Sequence, residues 1–118
     1  MRHNAFFLAA TAWTLMGAGS AKHDDPIVVA PDHYSVVENE RVRVLAFDAK
    51  PGEKWALHAH PDAVVVSLDD YTVRNVVPGS DPTTRVAHRG DAAWIPARWH
   101  TGENTGATDM DCVLIELK

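Results

Sequence analysis

Cysteine is nearly absent from this 118-residue chain, in which Cys112 is the only one. A single cysteine excludes an intrachain disulfide and a cysteine-rich zinc site, and its expected role is that of a small buried hydrophobe. Positive charge is also scarce, since 11 lysines and arginines stand against 16 aspartates and glutamates, for a formal net charge of −5. A mildly acidic chain without a basic stripe argues against nucleic acid or an anionic membrane as a partner.

A helical period is missing from every segment after residue 22. Short runs rich in β-branched and aromatic residues, separated by turn residues such as Gly52, Gly79 and Gly90, predict strands instead. The predicted strands are Tyr34–Glu38, Arg41–Phe47, Lys54–His60, Ala63–Leu68, Tyr71–Val77, Thr83–His88, Ala92–Ile95, Trp99–Glu103 and Met110–Leu117. Evenly spaced short strands are typical of an all-β sandwich or barrel.

The first 21 residues predict a processing signal rather than part of the fold. A short basic start, an apolar run over residues 5–16 and small residues at 17–21 follow one another, before the chain turns polar. This order is typical of a secretory signal peptide, and the apolar run is too short to span a bilayer. The alternative, a buried helix, lacks a polar face. We therefore expect export to the periplasm or beyond, with no membrane partner after processing. An extended leader is predicted over residues 22–32, followed by one domain over 33–118.

Three histidines carry the chemical signal of the chain. His58 and His60 are separated by one residue in a predicted strand, so their side chains point to the same face. His100 comes from a later strand and can join them only if both strands face one interior. Three imidazoles that meet there form a site for a divalent transition metal. The alternative is an accidental pairing, because seven histidines occur in the chain; His33 and His88 stand alone and predict structural or solvated roles.

The stretches around these histidines resemble the two signatures of the cupin superfamily. Gly52, His58 and His60 match the first, although its glutamate position falls on Val64 or Val65.

The second signature is matched at Gly90, Pro96, His100 and Asn104. Arg98 replaces its inner glycine, and the gap from proline to histidine is one residue shorter than usual. The likeness covers about residues 32–118, and it is nearest to a bacterial group that includes proteins named for β-alanine degradation.

This resemblance implies a double-stranded β-helix, or jelly-roll barrel, that holds one divalent metal on His58, His60 and His100. Without the motif glutamate the site is neutral, which suits iron, zinc, copper or nickel better than calcium or magnesium; manganese is a further metal that the resemblance allows. The implied function is an exported cupin that binds or acts on a small polar metabolite, as an oxygenase or isomerase. The alternative is a non-catalytic cupin with a degenerate metal shell that binds or senses a metal or ligand. Metal binding is expected to weaken below about pH 6, where imidazoles ordinarily protonate.

Several other residues have two interpretations each. Asp62 could orient an imidazole or cap a turn, and Arg98 could clamp an anion over the barrel mouth or lie on the surface. Tyr71 and Trp94 could line the cavity or belong to the core. Asn104 is expected to be a turn residue.

Two further predictions concern the chain termini and surfaces. His23 would complete an amino-terminal copper or nickel site if processing left it third in the chain. Strands with apolar residues on both faces, such as the one in which Trp55 and Leu57 alternate with His58, predict a homodimer; the alternative is that an N-terminal strand covers the second face.

Overall fold

The computed structural model describes residues 25–118, so the predicted signal peptide and His23 lie outside the described residues. Within residues 25–118, two short helical turns precede nine strands. The turns are α1 (Pro26–Val29) and a 3-10 turn (Pro31–His33). The strands are β1 (Tyr34–Glu38), β2 (Val42–Ala49), β3 (Lys54–His60), β4 (Ala63–Ser67), β5 (Tyr71–Val76), β6 (Thr83–Ala87), β7 (Ala92–Ile95), β8 (Arg98–Asn104) and β9 (Met110–Leu117). The all-β prediction is confirmed, and the predicted strand ends differ from these by at most two residues.

The strands form two antiparallel sheets that enclose the interior. One sheet has the order β1-β2-β9-β4-β7, and the other has the order β3-β8-β5-β6. Alternation along each strand sends one set of side chains inward, as with Leu45 and Phe47 of β2, which are both buried. Phe47 packs edge-on against Trp55 across the two sheets, with ring centroids 5.0 Å apart. Apolar side chains from both sheets therefore meet in one core, as in a jelly roll. No helix among the described residues is long and apolar enough to cross a membrane.

The expectation of an extended, unpacked leader is wrong for residues 25–32. Asp25 caps α1 by accepting a hydrogen bond from the amide of Ile27, and Pro26 occupies the first turn, where its fixed φ favours a helix. Asp25, Pro26 and Ile27 are all buried. Burial of Ile27 and an ion pair from Asp25 to Arg43 hold the segment against the barrel.

An irregularity in β3 changes which residues face inward. The register between β3 and β8 shifts between Trp55 and His58, so both side chains are buried although they lie three residues apart. Simple alternation placed Trp55 on the face opposite His58, and this part of the interpretation is wrong. The extra residue of a bulge reverses the phase of alternation. Gly102 lies opposite Trp55 in β8, and a Cβ there would come within 2.3 Å of the indole.

The outer face of the five-stranded sheet is apolar. A single row of outward side chains crosses all five strands in register, formed by Val37, Val44, Ile115, Val64 and Trp94. Trp94 is 55% exposed and Val37 is 73% exposed. Asp25 pairs with Arg43, whose side chain points to the opposite face, so the described N-terminal turn does not supply the cover. The homodimer stays a prediction for this face.

Candidate metal centre

The three histidines of the two signatures meet inside the barrel. His58 lies directly opposite His100 in the register of β3 and β8, and both side chains are buried with that of His60. The Nε2 atoms of His58 and His60 are 2.9 Å apart, and those of His58 and His100 are 3.1 Å apart. All three nitrogens lie within 4.8 Å of one another. The geometry therefore assembles the predicted three-imidazole group.

Each imidazole is oriented by an oxygen at its other nitrogen. The Nδ1 of His58 lies 2.8 Å from the backbone oxygen of Ala56, a contact that the β3 bulge makes available. The Nδ1 of His60 lies 2.5 Å from Oε2 of Glu116. The Nδ1 of His100 lies 3.1 Å from Oδ1 of Asn75.

These three acceptors select one tautomer for the whole group. An oxygen acceptor requires a proton on each Nδ1, which leaves the Nε2 lone pairs free and directed at one another. Lone pairs that face each other repel unless a cation lies between them. A metal at about 2.0–2.1 Å from each nitrogen would place tetrahedral ligands roughly 3.3 Å apart, close to the observed 2.9 and 3.1 Å. The residues present thus fit a divalent metal with three nitrogen ligands.

Burial keeps two of the imidazoles neutral in acid. Removal from water, with a smaller contribution from the His60 charge, lowers the pKa of His58 to about 4. Removal from water, followed by the charges of His58 and His60, lowers the pKa of His100 to about 2. The expected loss of metal below about pH 6 rested on the ordinary pKa of imidazole. For His58 and His100 this basis is wrong, because both remain unprotonated at that pH.

A buried network of hydrogen bonds supports His60 through Glu116, Arg43 and Asp25. It was not predicted from the sequence. Glu116 accepts from His60 through Oε2, and its Oε1 accepts from Nε of Arg43 at 2.8 Å. Arg43 in turn donates to Asp25 at 2.8 Å. Burial alone would raise the pKa of Glu116, but the hydrogen bond from His60 and the charge of Arg43 lower it below its usual value.

The sequence does contain a signal for this network, namely two charged residues at inward-facing strand positions. Arg43 shares the inward phase of Leu45 and Phe47 in β2, and Glu116 shares that of Leu114 in β9. A charged residue in the buried phase of a strand requires a partner. The family's glutamate position is occupied by apolar side chains: Val65 faces the cavity, whereas Val64 lies in the outer row. A carboxylate does lie beside His60, but it belongs to Glu116 in β9 rather than to the motif position in β4.

The histidines line a cavity of about 60 Å³ between the sheets. Tyr71 lines it, as one interpretation predicted, whereas Trp94 lies on the outer face. Arg98 and Arg85 also line it, and both are half-buried. A larger cleft of about 290 Å³ lies beside Pro31 and contains none of the three histidines, so it is not assigned to the metal.

The remaining candidates have structural roles. Asp62 accepts a hydrogen bond from the amide of Ala97, which supports the turn interpretation. Asn104 is buried and donates to the backbone oxygens of Ala49 and Thr108, as a turn residue does.

The two lone histidines do not join the cluster. His33 contacts Asp48 and Glu53, and His88 lies beside Asp91.

Comparison with known proteins identifies the fold family. No family model matches the chain, and no curated protein does. Among solved structures, a cupin domain from Bordetella pertussis Tohama I is 30% identical, with a TM-score of 0.67 over 72% of this chain and 91% of that one. A double-stranded β-helix protein from Klebsiella pneumoniae is 23% identical, with a TM-score of 0.58 over 71% of this chain and 74% of that one.

An RmlC-like cupin family protein from Methanocaldococcus jannaschii is 12% identical, with a TM-score of 0.57 over 71% of this chain and 79% of that one. The last two likenesses concern the fold alone. The Bordetella domain is matched over nearly its whole length at an identity that shows common membership. Together with the two signatures and the two-sheet barrel, it places this chain in the cupin family.

Proposed function

We propose that this cupin binds one divalent transition metal through the Nε2 atoms of His58, His60 and His100. The observation that carries the proposal is the shared orientation of the three imidazoles, each with an oxygen at Nδ1 and a free lone pair directed inward. Three protein ligands leave at least one coordination position open, which is typical of a catalytic site rather than a structural one. A bound metal would supply Lewis acidity to a ligand in the cavity.

The protein's own residues would orient this metal and exclude water from it. Glu116, fixed by Arg43 and Asp25, holds His60 in one tautomer, and the bulge carbonyl of Ala56 does the same for His58. Metal-binding histidines supported in this way bind more tightly, because the ring is already oriented and its basicity is raised. The burial of the three histidines limits access of bulk water to them.

The cellular setting is part of the proposal. We propose an exported protein, processed after residue 21, that binds or acts on a small polar metabolite inside the barrel. Metal-dependent oxygenation and isomerisation are the reaction classes that an open three-histidine site suits. The likeness of the two signatures to the bacterial group that includes proteins named for β-alanine degradation supports membership in that group.

Elemental analysis of the untagged protein from its native compartment tests the metal. We expect one metal per chain; stoichiometric iron would favour an oxygenase, and zinc or copper without turnover would favour a binding module. A His100→Ala variant should lose most of its metal affinity, because ligands of one site act together. Changing all three histidines should cost little more than the worst single change.

His88→Ala is the matched control, since His88 is exposed and pairs with Asp91 rather than with the three histidines. A metal content that survives His100→Ala but falls with His88→Ala would contradict the site. A metal-free protein that takes up no zinc, iron or copper in titration would contradict the function.

A further inference from the structure

Two arginines line the metal cavity without any acid to balance them. Arg85 and Arg98 both face it, and no aspartate or glutamate of residues 25–118 lines it. Among the described residues, neither guanidinium takes part in a hydrogen bond or an ion pair. Glu116, the carboxylate that contacts His60, is already engaged by Arg43 and His60.

The position of Arg98 directs its charge toward the histidines. Arg98 lies directly opposite His60 in the register of β3 and β8, so the two side chains leave the sheet on the same face. Its Nε is buried and has no hydrogen-bond partner in the described part of the chain. Arg85 approaches from β6, opposite the buried Val73 of β5.

Two half-buried positive charges that line one cavity are unfavourable without a counter-ion. A divalent metal on three neutral imidazoles would add two more positive charges to the same space. An anion in this cavity would therefore balance the positive charges of the two arginines and of the metal.

We propose that the cavity binds a short-chain carboxylate, with its carboxylate group on Arg98 and Arg85 and its other end toward the three histidines. This inference rests on the proposed function for the role of the metal, but the arginine contacts stand without it. The planar guanidinium fork matches the two oxygens of a carboxylate. The walls between the charged groups are apolar and include Val73, Ile95 and Leu114, which suits a hydrocarbon stem and disfavours inorganic phosphate.

The size of the cavity limits the ligand. A volume of about 60 Å³ has room for about four water molecules. A carboxylate with about four to six non-hydrogen atoms displaces a similar volume. Long-chain acids and sugars exceed it.

Binding of lactate, with lactamide and inorganic phosphate as comparisons, tests the inference. Each compound is titrated into the zinc-loaded and the metal-free protein, and binding is followed by amide chemical shifts and calorimetry. We expect lactate to bind at least tenfold more tightly than lactamide, which has the same shape without the charge. Phosphate should bind more weakly than lactate; equal or tighter phosphate binding would overturn the assignment to a carboxylate.

Variants then locate the contact. Arg98→Gln and Arg85→Gln should each weaken lactate binding at least tenfold, and Arg98→Lys should weaken it less, because it keeps the charge but loses the fork. Arg74→Gln is the matched control, since Arg74 is exposed and neighbours Val73 in β5. Unchanged lactate affinity in both Arg98 variants would overturn the proposal.

The two proposals fail in different ways. If the protein takes up no metal but still binds lactate, and the arginine variants weaken that binding, the metal site is refuted and the carboxylate site stands. If the protein binds one zinc per chain but does not prefer lactate to lactamide, the carboxylate site is refuted and the metal site stands.

Discussion

Replacing Glu116 by glutamine should lower both the metal affinity and the folding stability of the protein. Glu116 presents one oxygen to His60 at 2.5 Å and the other to Arg43 at 2.8 Å. A glutamine keeps the size, but it has only one oxygen, so its amide group must face one of two donors. Either His60 or Arg43 then loses its acceptor in a position that is almost fully buried, and in both orientations His60 loses the charged oxygen that raises its basicity.

The magnitude follows from this geometry. Loss of an outer partner of a metal-binding histidine lowers metal affinity about 10- to 100-fold, or about 1.4–2.8 kcal/mol. Arg43 retains its ion pair with Asp25, so the metal-free protein should lose only one charge-assisted hydrogen bond, about 1.5–3 kcal/mol of its free energy of unfolding.

Chelator competition with zinc at pH 7 measures the affinity, and urea unfolding of the metal-free protein measures the stability. Glu103→Gln is the control, because Glu103 lies in β8 and is absent from the cavity lining. Nitrogen chemical shifts of His60 report whether the proton leaves Nδ1. If Glu116→Gln destabilises the fold but leaves both zinc affinity and the His60 tautomer unchanged, Glu116 is purely structural and the reasoning is refuted.

Three other predictions concern pH, assembly and processing. Because burial lowers the folded-state pKa of His58 from about 6.5 to about 4, the folded protein binds fewer protons than the unfolded chain in that range. The stability of the metal-free protein should therefore fall by at most about 2 kcal/mol through His58 between pH 6.5 and 5; urea unfolding that shows no such slope in this window would contradict it. The apolar outer row should form a homodimer, seen by light scattering at micromolar concentration, and Trp94→Lys should weaken it; a wild-type monomer whose thermal stability is unaffected by dilution would exclude it. The exported protein should lack residues 1–21 in an intact-mass measurement, and a mass that retains them would disprove cleavage.

The strands and the three histidines could be predicted because both depend on local pattern. Alternation and turn residues mark the strands, and the two signatures fix which histidines belong together. The partner of His60 could not be found in this way, because Glu116 is 56 residues away and reaches it only through the pairing of β9 with β4 and β2. The same limit applies to Trp55, whose direction depends on a bulge that no spacing rule reveals.

The helical turn at the N-terminus illustrates a third limit. Pro26 and Pro31 predicted an extended segment, and their fixed φ is equally compatible with the first turn of a helix. What decides between the two is a tertiary contact, the ion pair of Asp25 with Arg43. The replacement of the family's inner glycine by Arg98 was recognised from the sequence, but its alignment with His60 required the register of β3 and β8.

The fluorescence of Trp55 can report on the interior of the barrel. It is buried and lines the same cavity as the histidines, whereas Trp94 and Trp99 are 55% and 45% exposed. Trp13 belongs to the predicted signal peptide. Emission from Trp55 should therefore lie at shorter wavelength and resist quenching by iodide, while Trp99 is quenched and Trp94 is protected only where the predicted dimer covers it. Copper or iron at the histidines would dim the protected component by energy and electron transfer, and zinc would leave it bright, so fluorescence alone can report which kind of ion the barrel holds.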